Sequence, residues 1–273
     1  MERYTWKTGI LEVVMIVVAA IFFIPLFVLI STAFKATNDP SGSLQLPANF
    51  TFVNFSNAWT EGHLGNALAN SATVTVVSVI LLIVLSSLAA YPLARVTKRW
   101  SKLAFAGFLI GLLLPFQLAL IPLYQTMRDL HLLGTVWALI LFYVGLQMPF
   151  SIFLYTGFLR ALPIEYEEAA AIDGSGLFST FWRVLFPLLR PITGTVAILN
   201  VITIWNDFLT PLLYLSGSGQ QTVPVALFAF VGQYVSQWNL VFAGLIISIF
   251  PILLVYFLLQ KTVIQGFASG LKG

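Results

Sequence analysis

The sequence predicts an all-α integral membrane protein of six transmembrane helices, with both termini on the cytoplasmic side. Three observations predict it: 59% of the 273 residues are hydrophobic, 8% are charged, and the charges punctuate long apolar intervals. An ordinary soluble domain carries about 25% charged residues and cannot hide so much apolar surface. The net charge of +3 does not indicate nucleic acid, whose binding proteins gather basic residues into one patch. Absence of cysteine removes disulfides, thiolate nucleophiles and cysteine-ligated metals.

A spanning helix needs roughly 20 mostly apolar residues. The intervals Glu12 to Lys35, Glu61 to Arg95, Lys102 to Arg128 and His131 to Arg160 each enclose one. After Arg190 only Asp207 interrupts the apolar sequence before Lys261, and the turn residues Ser216 to Gln221 divide that length into two. The expected spans are 10–34, 68–95, 103–125, 134–159, 191–215 and 239–261, with a connection at 160–190 and a tail at 262–273, in one transmembrane domain covering 1–273. Arg3 and Lys7 precede the first apolar run as in a secretory signal, but Ile10 to Phe34 is about twice the usual signal core and reads as a retained helix.

Orientation follows from the lysines and arginines, which cytoplasmic loops retain. With the N-terminus inside, eleven basic residues fall on the inner side, among them Arg95, Lys98, Arg99, Lys102, Arg160, Arg183 and Arg190. Two, Lys35 and Arg128, fall outside. The outer segment 36–67 reads as a polar loop. It carries two acceptor-like tripeptides, at Asn49 and Asn54, that matter only in a host that glycosylates. Thr222 to Trp238 is short, is interrupted by Pro224, Gly232 and Gln233, and reads as an outer interfacial or re-entrant segment.

Asp207 is the one acid well inside a span, where burial costs several kcal/mol unless it is paired or hydrated. At about 1.5 Å per residue it lies roughly 24 Å from Pro191, in the outer part of the bundle. With Trp205 and Asn206 beside it, a carboxylate, an amide and an aromatic face are available to a sugar, so these three are candidate substrate-pathway residues. The competing reading is a structural pairing of Asp207. Gln117, Gln147 and Asn200 are open to the same reading, since polar side chains often join helices. His63 and His131 lack metal-ligand spacing, and no cofactor site of the chain's own is expected.

The connection from Arg160 to Pro191 holds four of the ten acids and describes two short helices joined by a bend. Pro163 suits a first turn, and Glu165, Glu167 and Glu168 suit the positive end of a helix dipole. Asp173-Gly174 ends that helix, Ser175 can cap the next, and Pro187 and Pro191 separate it from the fifth span. The thin surface of Ala169 to Ala171 beside a carboxylate fits a groove on another protein. An interfacial hairpin that merely connects two spans fits as well.

Glu168-Ala169-Ala170, then Gly174 three residues on, then Val184-Leu185-Phe186-Pro187, resembles the EAA loop of binding-protein-dependent ABC importer permeases. That family's usual ending is isoleucine, any residue, leucine, proline, so Val184 and Phe186 depart from it. The stretches LPANFTFVNFSNAW (46–59), AAYPLAR (89–95), IPLYQTMRDLHLLGTVWALIL (121–141), PFSIFLYTGFLRALPIEYEEAAAIDG (149–174) and WNDFLTPLLYL (205–215) resemble the MalG-type sugar permeases, so the likeness covers nearly the whole chain. The resemblance implies a coupling helix at Glu168, Ala169, Ala170, Asp173 and Gly174, with Pro187 closing the motif. It further implies a separate ATPase dimer that binds ATP and Mg, a second and distinct permease chain, and an extracytoplasmic solute-binding protein. The protein would then sit in a prokaryotic cytoplasmic membrane, importing a sugar without being an enzyme itself. Gly266 to Gly273 lacks the spacing of a phosphate-binding loop. An ion-coupled secondary transporter is the alternative; it calls for more intramembrane ionisable residues than Asp207. A membrane anchor would leave the elbow unexplained.

Overall fold

The computed structural model describes residues 6–231 and 237–270. In chain order the helices are α1 (Trp6–Ala33), α2 (Val53–Glu61), α3 (Leu64–Arg95), α4 (Arg99–Leu113), α5 (Leu120–Asp129), α6 (Val136–Ala161) and α7 (Glu165–Ile172). They continue as α8 (Leu177–Thr180), α9 (Phe186–Leu188), α10 (Arg190–Asn206), α11 (Leu209–Tyr214), α12 (Val223–Phe228) and α13 (Trp238–Gly270). Extended pairing is sparse: Lys35 and Phe50 form an isolated antiparallel bridge.

Four helices, α1, α3, α6 and α13, are long and apolar enough to cross a membrane. Two bent pairs reach the same standard jointly, one within 99–129 at 91° and one within 177–206 at 74°. The spans therefore number four to six.

The breaks have local causes. Pro115 lacks an amide proton and pushes the residue before it out of the helical region, and Leu114 accordingly has ψ 125°. The expected span 103–125 is thus interrupted, and a short 3₁₀ turn, Phe116–Ala119, leads into α5. The expected span 191–215 is divided too: α10 stops at Asn206, and Asp207 is extended with ψ 129°. At α9, Pro187 cannot donate to the carbonyl four residues back. The preceding turn, Phe181–Leu185, widens into a π-helix in which the Phe186 amide bonds the Phe181 carbonyl.

The chain forms two units. Within the larger, Asn66–Pro224 with Pro251–Gly273, α3 buries Ser71, Thr75, Ser78, Leu82, Ser86 and Ala90, which recur at helical spacing. Small and hydroxyl side chains on one face let membrane helices approach closely. Asn200 joins α10 to α6, its amide donating to Ser151 Oγ at 3.2 Å and to the Val196 carbonyl.

The smaller unit, Met1–Gly65 with Val225–Phe250, corrects the reading of 36–67 as loop, since α2 lies within it. Asn54 is buried, and its amide donates to the carbonyls of Ala33 and Lys35, two orphan acceptors at the end of α1. Its Oδ1 accepts from Asn239 at 2.9 Å. The folded chain therefore uses this side chain structurally. Asp39 accepts from the hydroxyl and amide of Ser41 and the amide of Ala48, which hold its carboxyl below the usual range. Of the segment 222–238, the structure describes α12, while Gly232 and Gln233 lie outside the described residues, as do Arg3 and Leu271 to Gly273.

Candidate functional site

The connection after α6 forms an elbow. α7 opens with Glu165, Glu167 and Glu168 in its first turn; Pro163 precedes it, and the amides of Glu167 and Glu168 bond the Ile164 carbonyl. It closes in a Schellman motif: the Ser175 amide bonds the Ala170 carbonyl at 2.9 Å, and the Gly174 amide bonds that of Ala171 at 3.0 Å. Gly174 occupies the left-handed position, φ +79°, which residues with a Cβ adopt at a cost. Gly176, not Ser175, precedes α8 as its cap residue.

Of the expected coupling residues, Glu168, Ala169, Asp173 and Gly174 are exposed, Ala170 is buried, and Pro187 lies in α9. Ile172 is 87% exposed, and Leu177 and Phe178 on α8 are nearly as bare. The bend thus displays an apolar tip beside a carboxylate. Behind it, Trp182 meets Phe181 edge to face and lies tilted against Phe186, with ring centroids 5.2 and 4.8 Å away, packing the π-turn.

The elbow's base is tied to the C-terminal end of α3 by residues whose role was not read from the sequence. Arg95 Nε donates to Glu167 Oε1 at 2.6 Å, and the Tyr91 hydroxyl donates to Glu167 Oε2 at 2.8 Å. Tyr91 and Arg95 are four apart, hence on one helix face. The Arg95 and Glu167 side chains retain 16% and 14% of their exposure, so each largely depends on the other for compensation. Arg95 also donates to the Leu162 carbonyl, and Arg160 donates to that of Leu93 while lying over the Phe105 ring at 4.6 Å.

The other candidates separate. Trp205 is buried, whereas Asn206 is exposed and donates back to the Ile202 carbonyl of its own helix. Asp207 accepts from the Tyr143 hydroxyl at 2.9 Å and from the amides of Leu209 and Thr210 at 3.1 and 3.5 Å. Its carboxylate holds the break between α10 and α11. His131, φ +58°, ends α5 in a second Schellman motif.

The family model described as "Binding-protein-dependent transport system inner membrane component" matches residues 82–268. The chain belongs to this family. Among the permease's relatives, the melibiose/raffinose/stachyose import permease protein MelC of Bacillus subtilis is 37% identical over 97% of each chain. The probable starch degradation products transport system permease protein AmyC of Thermoanaerobacterium thermosulfurigenes is 35% identical over 93% of each. The multiple sugar-binding transport system permease protein MsmG of Streptococcus mutans is 33% identical over 98% of this chain and 96% of its own. A solved chain from a bacterial ABC transporter involved in import of the acidic polysaccharide alginate has TM-score 0.82 at 21% identity, covering 96% of this permease and 99% of itself, and shows the same fold. The matched segment includes the elbow and its tie to α3, and the permease is a multi-pass membrane protein.

Proposed function

We propose that this chain is one permease subunit of an ATP-binding-cassette importer that carries a sugar, of di- or oligosaccharide size, across the cytoplasmic membrane. The observation that carries the reading is the full-length likeness to permeases named for import of melibiose, raffinose and stachyose, of starch degradation products, and for multiple sugar binding. In this reading the chain crosses six times, the fifth crossing running from α10 into α11, and the basic residues keep both termini and the elbow in the cytoplasm. The tip of α7, with Glu168, Ala169 and Ile172 bare, seats in a groove of a separate ATPase subunit. A solute-binding protein delivers the sugar from outside to this permease and a second, distinct one.

ATP shifts the pair between inward and outward states only so far as it binds one state more tightly. The mechanical role of this chain is to convert ATPase closure into helix movement. Asp207 contributes the fixed break in α10–α11; the pathway role proposed for Trp205, Asn206 and Asp207 has its main support in the exposure of Asn206. Family membership favours this reading over an ion-coupled secondary transporter.

The test is uptake of labelled raffinose-type oligosaccharides into proteoliposomes holding the permease pair, ATPase and binding protein. Uptake is expected to require ATP on the ATPase side and the binding protein on the other. Uptake by this chain alone under a proton or sodium gradient would overturn the proposal.

A further inference from the structure

The two arginines at the base of the elbow are arranged reciprocally. α3 and α6 both end with carbonyls that lack helical amide partners, as helix C-termini do. Arg95, on α3, donates its Nη2 to the Leu162 carbonyl just past α6, at 3.1 Å. Arg160, on α6, donates its Nη2 to the Leu93 carbonyl on α3, at 3.3 Å. Each guanidinium thus caps the other helix. Arg95 then spends its Nε on Glu167 in the first turn of α7, whose second oxygen takes the Tyr91 hydroxyl, while Arg160 rests on Phe105 of α4. Both carboxylate oxygens of Glu167 are engaged, unlike the exposed neighbour Glu168.

We propose that Tyr91, Arg95, Arg160 and Glu167 are positioning residues that clasp α7 to α3 and α6, so that displacement of α7 is delivered to α3 directly. The inference rests on the importer reading and adds a second route to it. Without the clasp, α7 would pull on the membrane helices through its two chain connections alone. With it, α3 and α7 travel as one body, because a two-point carboxylate contact and two helix caps resist shear and rotation. A loose surface pair would not transmit such a load, but this one is largely withdrawn from solvent.

Two measurements on the complete complex test it. Glu167→Ala and Arg95→Gln are each expected to lower sugar moved per ATP hydrolysed by roughly 3- to 30-fold, the range of coupling changes seen along transmitting networks, with the ATPase still co-purifying. The charge swap Arg95→Glu with Glu167→Arg should regain coupling above either single variant. Unchanged coupling in the single variants, or loss of coupling only together with loss of the ATPase, would overturn the clasp. Should the variants not fold, spin labels at Leu85→Cys on α3 and Ala171→Cys on α7, with the clasp otherwise intact, decide. Their separation should change between nucleotide-free and ATP-trapped states by no more than the ~1–2 Å of packed-helix adjustment. A larger change would overturn it. If the wild-type complex shows no ATP-coupled uptake, the importer reading falls and the clasp with it; if the wild type couples and the variants do equally, only the clasp falls.

Discussion

Two carboxylates in this permease each accept a tyrosine hydroxyl, and they do opposite things with the remaining oxygen. Glu167 gives it to Arg95 on another helix, so its contacts join separate elements. Asp207 gives it to the amides of Leu209 and Thr210, so apart from Tyr143 its contacts stay within three residues of itself. One is a cross-link between elements; the other is a local brace for a broken helix. A carboxylate satisfied by neighbouring backbone can hold a kink without any ionic partner, whereas one paired with arginine makes each partner costly to remove alone.

The comparison breaks first at Glu167. Glu167→Ala strands an arginine largely withdrawn from water and is expected to cost about 2–3 kcal/mol, read as earlier thermal inactivation of the purified complex. Replacing both partners by apolar residues, Arg95→Met with Glu167→Leu, should recover most of that stability. Next comes Gly174→Val, which forces a branched residue to positive φ at about 1–2 kcal/mol and should misdirect the bend; Gly174→Asn should be nearly normal, since asparagine tolerates that conformation. Tyr143→Phe removes one donor from Asp207 and should cost about 1 kcal/mol of stability with uptake retained. Asp207→Asn should have the smallest effect, about 0.5 kcal/mol or less, because its amide oxygen still accepts from the backbone. Loss of uptake in well-expressed Asp207→Asn would support the pathway role proposed for that residue, and unchanged uptake and selectivity would remove it.

Charge spacing and hydropathy made the apolar segments legible, because a spanning helix must be long and nearly free of charge. The elbow was legible through Gly174, since few other residues end a helix there at no cost. Breaks inside apolar runs were harder to see. Pro115 resembles Pro25, Pro92, Pro149 and Pro251, which lie inside the continuous helices α1, α3, α6 and α13, so a proline alone does not mark a break. The clasp was the least visible part: Tyr91 and Glu167 lie 76 residues apart, and no local pattern pairs them. The four-residue spacing of Tyr91 and Arg95 beside an acidic first turn was its faint signal. Trp205, Asn206 and Asp207 are adjacent in sequence, yet rotation about the helix and its end send them to different surroundings.

The most direct test of a motor-driven elbow uses the chain's lack of cysteine, which makes single-cysteine variants clean. Ala169→Cys and Ile172→Cys would be probed in membranes with an impermeant thiol reagent applied to one face at a time, then with a short cross-linker. Both sites should label only from the cytoplasmic face, and both should cross-link to the ATPase subunit. Labelling from the outer face, or cross-linking to no nucleotide-hydrolysing protein, would contradict the account.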